Sequence, residues 1–127
     1  MAASPERRIA ELTQGMLRKK LYVVLSRPTA GPAAIMAVLP AHLEYMIGLE
    51  KAGTVFASGP LTEPGGEPRG DGLTILRAAS ADEARRIADA DPFSIQGLRT
   101  YELREWTVME GSLGLKVNLS DQSIEVA

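Results

Sequence analysis

The chain carries a single histidine, His42. Imidazole is the side chain whose ordinary pKa, about 6.5, lies near neutrality, which makes it the first candidate for moving protons. It follows Pro40 closely, near the start of the main part of an apolar-periodic run. The positive end of a helix starting there would keep the ring neutral and able to accept a proton. Tyr45, three residues on, shares its helical face and would line the same pocket. Ser58 closes an apolar run just before Gly59-Pro60. Its hydroxyl fits a donor to a substrate oxygen or a prop for His42, and equally an ordinary polar strand end. Gly59 either lets a ligand approach the backbone or permits the turn. Arg104 has the forked donors that grip a carboxylate, and acidic neighbours, Glu102 and Glu105, that would occupy it instead. Asp91-Pro92 reads as the cap and first residue of a short helix over residues 93–98. No nucleophile elbow surrounds Ser58. The glycine-rich stretch 65–72 lacks the Lys-Ser/Thr ending of a phosphate loop and reads as a mobile flap or linker.

Composition narrows the chemistry further. The chain has 127 residues and no cysteine, so it has no disulfide, thiol nucleophile or thiolate metal site. One histidine excludes a two- or three-histidine metal site. No metal is expected, and no motif suggests flavin or haem. Lys plus Arg is 14 and Asp plus Glu is 16, a net charge of −2 that argues against a dedicated nucleic-acid binder. The length suits one domain, at roughly 100–200 residues each. Residues 1–20 hold no apolar run of signal-peptide length, and no stretch is expected to reach the ~20 apolar residues of a membrane span. The expectation is a cytoplasmic protein with no membrane partner.

The elements that must position these residues follow from periodicity. Ser4-Pro5-Glu6 starts a helix, with Ile9, Leu12 and Met16 as a narrow apolar stripe. Residues 21–26 form a strand rich in β-branched and aromatic side chains. Apolar residues then recur at helical spacing from Ile35 to Leu49, with a kink or break expected at Pro40 and Gly53 as the cap. Strands follow at 54–61 and 73–78, separated by a long exposed loop. Ser80 and Glu83 make a capping box for a helix ending at Asp91-Pro92. Residues 99–109 form a fourth strand. Alternation over 113–119 and 124–126 predicts a C-terminal β-hairpin turning at Asp121-Gln122. The fold class is α+β: a ferredoxin-like βαββαβ unit with an extra N-terminal helix and a C-terminal β-hairpin. The divisions are 1–19, 20–110 and 111–127. Helices would cover one sheet face. The other, carrying Val24, Ile75 or Leu76, and Trp106 or Leu103, would need a second copy of the sheet. A homodimer or larger homo-oligomer is therefore expected.

Four segments occur together: Pro40-Ala41-His42-Leu43-Glu44-Tyr45, Ala57-Ser58-Gly59-Pro60-Leu61, Ala88-Asp89-Ala90-Asp91-Pro92-Phe93 and Arg104-Glu105-Trp106. In order and spacing they resemble the YciI-like (YCII-related) family over about residues 20–110. The resemblance implies a dimeric α+β barrel and a shared His and Asp taken as an active site, which fall on His42 and Asp91. One relative is described as a dehydrochlorinase. Asp91 would then hold one ring nitrogen, fix the tautomer and stabilise the ring once it has taken a proton.

Two kinds of function follow. The first is a small cofactor-independent enzyme whose His42–Asp91 dyad moves a proton on a small organic substrate, in lyase, dehydrochlorinase or isomerase chemistry. Ser58, Gly59, Tyr45 and Arg104 would bind that substrate. The second is a non-catalytic dimeric module for ligand binding or assembly, which the terminal extensions favour. A cofactor-free α+β-barrel monooxygenase is a further alternative.

Overall fold

The computed structural model describes residues 4–127. In chain order the elements are α1 (Pro5–Thr13), β1 (Lys19–Pro28), α2 (Pro32–Lys51), β2 (Val55–Pro60), β3 (Gly72–Leu76), α3 (Ala81–Asp89), α4 (Pro92–Ile95), β4 (Arg99–Val108), β5 (Leu115–Asn118) and β6 (Ser123–Val126). The described residues fall into two units, 20–107 and 4–19 with 108–127.

The larger unit is a four-stranded sheet in the order β2-β3-β1-β4. Strand β3 lies antiparallel between β1 and β2, and β1 separates β3 from β4. Each helical crossover thus skips one strand position, which is the split βαβ arrangement of a ferredoxin-like α+β fold. The register places Tyr22 opposite Leu76 and Val24 opposite Thr74. Because side chains alternate across a strand, one face carries Tyr22, Val24 and Leu76. These are buried with Ala84 and Ala88 of α3, and Leu103 packs against them. The expectation that Val24, Leu76 or Leu103 would lie on the uncovered face is thereby corrected. The positions between them, Val23, Leu25 and Ile75, take the other face, and alternation along β4 puts Trp106 there, 40% exposed.

Helix α2 is continuous through Pro40, so of the kink or break expected there the break does not occur. Pro40 withholds one donor, and the carbonyl four residues back belongs to Met36, a residue 66% exposed and so open to water. The helix ends in a Schellman arrangement: the Gly53 N–H donates to Glu50 and the Thr54 N–H to Leu49, with Gly53 at φ 81°. By length and composition α2 could cross a membrane. Here it is a core helix, and its Ile35 and Val38 enclose Phe93. Helix α3 is capped by Ser80, whose hydroxyl accepts the Glu83 N–H at 3.1 Å. Glu83 reaches back one residue beyond the cap, accepting the Ala79 N–H at 2.6 Å.

In the smaller unit Ser4 caps α1, accepting the Arg7 N–H at 3.2 Å. Its stripe residues Ile9 and Leu12 are exposed. Strands β5 and β6 form an antiparallel hairpin. Its turn has Gln122 at φ 60° and the Asp121 carboxylate accepting the Ser123 N–H at 3.0 Å. The Leu17 N–H donates to the Met109 carbonyl, so the two terminal segments meet within this unit.

Candidate functional site

The site begins with a helix cap. Asp91 precedes Pro92 at the start of α4, and its Oδ1 accepts the Phe93 N–H at 2.9 Å. Gly97, at φ 68°, closes the short helix behind it. The capping carboxylate also faces His42: Nδ1 lies 2.9 Å from Oδ1 and 2.8 Å from Oδ2. Both side chains are nearly buried, 11% and 14% exposed. Phe93, fully buried, lies against the imidazole with ring centroids 4.6 Å apart. Asp91 is therefore both a cap and the partner of the ring. The aromatic residue two positions on meets the ring at a tilt of 33°.

His42 stands about three turns inside α2, so the first-turn dipole invoked from the sequence does not reach it. The governing contact is Asp91. A carboxylate on Nδ1 takes the N–H there and leaves the lone pair on Nε2. Nε2 has no protein partner among the described residues, and His42 lines a cleft of about 670 Å³ between α2 and the edge strand β2.

The cleft wall is largely apolar, with Leu39, Leu43 and Ile47 from α2 and Val55 from β2. Its polar groups are few: His42, Ser58, Thr74, Glu50 and Arg99. Such a pattern suits a small organic ligand oriented by a few contacts. Ser58 Oγ lies 2.8 Å from Thr74 Oγ1, its partner across β2 and β3. The hydroxyl thus faces the cleft but is tied to Thr74, not to His42. Gly59 also lines the cleft. It sits within β2 opposite Leu73, and a Cβ there would meet nothing within 4 Å.

Two residues read from the sequence as substrate contacts lie elsewhere. The Tyr45 hydroxyl donates to the Ile87 carbonyl at 2.6 Å, tying α2 to α3, and Tyr45 is not on the cleft wall. Burial, with the charge of Asp91, raises its pKa. Arg104 is exposed, outside the cleft, and pairs with Glu102 at 3.0 Å. Both placements follow from local geometry. Position i+3 on α2 turns toward α3, and alternation on β4 puts Arg104 on the face opposite Tyr101 and Leu103.

Arg99 is the residue that sequence reasoning missed. It is the first residue of β4, directly after the Gly97-Leu98 stop, and its guanidinium lies over Phe93 with Cζ 4.5 Å from the ring centroid. The sequence signal is a basic residue a few positions past Asp91-Pro92-Phe93, where the chain turns back into the sheet. The glycine-rich loop is held there too, since Arg99 Nε donates to the Gly70 carbonyl at 2.8 Å.

Set beside known proteins, a family model described as the YCII-related domain matches residues 20–107. One similar solved structure is a 5-chloro-2-hydroxyhydroquinone dehydrochlorinase from Burkholderia phenoliruptrix AC1100, in complex with 2,5-dihydroxybenzoquinone. It is 22% identical, covers 68% of this chain and 93% of its own, and has a TM-score of 0.61. At that identity the likeness is one of fold. No curated protein matches the chain.

Proposed function

Since the chain belongs to the YCII-related family, we propose that it is a small enzyme in which His42 moves a proton on an organic molecule held in the α2–β2 cleft. The observation that carries this reading is the bond from His42 Nδ1 to Asp91, which leaves Nε2 with no protein partner on a ring that lines the cleft. In an elimination, Nε2 takes a proton from carbon, the electron pair forms a double bond, and the leaving group departs with its own pair. In an isomerisation, the proton returns at another position. Asp91 stabilises the imidazolium that exists between those steps. Ser58 and Gly59 provide the β2 side of the binding wall. The similar solved structure is named for a dehydrochlorination, an elimination.

The test needs no known substrate. Small carbonyl compounds and acids are incubated with the protein in deuterium oxide, and carbon-bound deuterium is read by NMR. Exchange that falls about 10²–10⁴-fold in His42→Ala supports the dyad. Exchange unchanged in that variant contradicts it, and a ligand that binds without exchange favours a binding module.

The reading includes a homodimer. The helices α2 and α3 pack on one sheet face, leaving the half-buried Val23 and Leu25 and the exposed Trp106 on the other face for a second copy. Sedimentation at increasing dilution is expected to give twice the chain mass; a monomer throughout contradicts it.

A further inference from the structure

The cleft holds a positive charge that the proposed proton transfer does not use. Arg99 Nε is occupied by the Gly70 carbonyl, but neither terminal nitrogen has a hydrogen bond or ion pair among the described residues. Burial is the largest influence on this group and lowers its pKa, against the opposing pull of Asp91 and Asp71. Those terminal nitrogens reach the open cleft instead of being sealed in the core, so they are free to take an anion there.

Its seat is specific. A Cβ built on Gly72 would stand 3.0 Å from Nη2, so the guanidinium end lies over bare backbone at the start of β3. Both Arg99 and His42 line the cleft, and both rest on Phe93. The two distances to that ring, 4.5 and 4.6 Å, together cap their separation. One small molecule can touch both groups at once. The planar fork suits two carboxylate oxygens, while the wall beside it is apolar.

We propose that Arg99 is a carboxylate-binding residue and that the cleft takes a small acid with an apolar skeleton, its carboxylate in the Arg99 fork and its skeleton beside His42 and Leu43. The proposal rests on the reading above only in placing the substrate in the same cleft. It assigns to Arg99 the role the sequence suggested for Arg104, and it makes Gly72 a specificity position through the space it leaves.

The full-length protein is titrated with benzoate, phenylacetate and cyclohexanecarboxylate, with their three amides, and with phenol. The imidazole signals of His42 are followed by NMR. At least one acid is expected to shift them saturably, about tenfold or more tightly than its amide, the scale of a charge-assisted fork. Arg99→Lys keeps the charge but not the fork and is expected to weaken that acid about tenfold. Gly72→Ala, which crowds Nη2 without touching the charge, is expected to weaken it several-fold.

Acids and amides binding alike, no acid binding, phenol binding more tightly than every acid, or both variants binding like the parent protein each overturn the proposal. The two readings fail separately. Acid binding that depends on Arg99 without His42-dependent deuterium exchange overturns the enzyme alone. Exchange with no preference for acids overturns the carboxylate site alone.

Discussion

Asp91 is asked to do two things at once, and two substitutions separate them. Asp91→Asn keeps an oxygen that can still cap α4 by accepting the Phe93 N–H, now 2.9 Å from Oδ1. The same oxygen, 2.9 Å from His42 Nδ1, is the one neutral acceptor left for the ring, and the donating amide nitrogen takes the place of Oδ2. What it loses is the charge on a bond of 2.8–2.9 Å between two nearly buried side chains. A hydrogen bond to a charged group contributes about 1.5–3 kcal/mol and a neutral one about 1, so Asp91→Asn is expected to cost about 1 kcal/mol. Asp91→Ala loses the whole bond and also the cap, itself about 1 kcal/mol, for a total of about 2.5–4 kcal/mol. Urea denaturation of the three proteins at neutral pH reads both steps as changes in midpoint at constant slope. In His42→Ala the asparagine step should shrink toward zero while the alanine step keeps its capping part. If Asp91→Asn matches the parent while Asp91→Ala carries the entire loss, Asp91 is a cap alone and its pairing with His42 contributes nothing. An asparagine step that is the same with and without His42 overturns that pairing equally.

Two further perturbations test the surroundings. Tyr45→Phe removes the tie to the Ile87 carbonyl and is expected to cost about 1 kcal/mol of stability without altering ligand response at His42; a lost response would place Tyr45 in the cleft after all. Tyr101 is pushed up to about 12, first by burial and then by its bond to Asp89. The folded state therefore holds a proton that the unfolded chain releases above about pH 10. The resulting contribution is complete below pH 10 and is lost as pH rises through about 12. Spectrophotometric titration should show a late phenolic ionisation that disappears in Tyr101→Phe, along with part of the alkaline loss of stability.

Much of this fold is written locally. The Ser4-Pro5 start, the Ser80 cap, the Gly53 and Gly97 stops and the Asp121-Gln122 turn are each decided within a few residues, and each stands where its chemistry put it. Facing was harder. Strand β1 is apolar at consecutive positions from Leu21 to Leu25, so period-two reading could not tell which of Val23 and Val24 lies under α3 until the pairing with β3 was in hand. Pro40 looks like a break because it lacks a donor, but the carbonyl it orphans belongs to the exposed residue Met36, and the helix continues through it.

The site divides along the same line. Asp91-Pro92 announces a cap by itself. That its carboxylate also reaches His42, 49 positions away, is a product of packing α4 against α2 around Phe93, and only the family resemblance pointed there. Arg99 carries only a loose signal, a basic residue shortly after Asp91-Pro92-Phe93, because its partners are a loop carbonyl, a buried ring and the bare backbone of Gly72. None of these is a side chain whose spacing could be counted.

In the proposed mechanism Asp91 fixes the His42 tautomer and leaves the Nε2 lone pair to the cleft. The most direct measurement is the ¹⁵N spectrum of the imidazole, at a pH where the ring is neutral. With a single histidine in the chain, the assignment is settled. A protonated Nδ1 and a lone-pair Nε2 are expected, with that preference lost or averaged in Asp91→Ala. A proton on Nε2 in the parent protein, or the same spectrum in the variant, would contradict it.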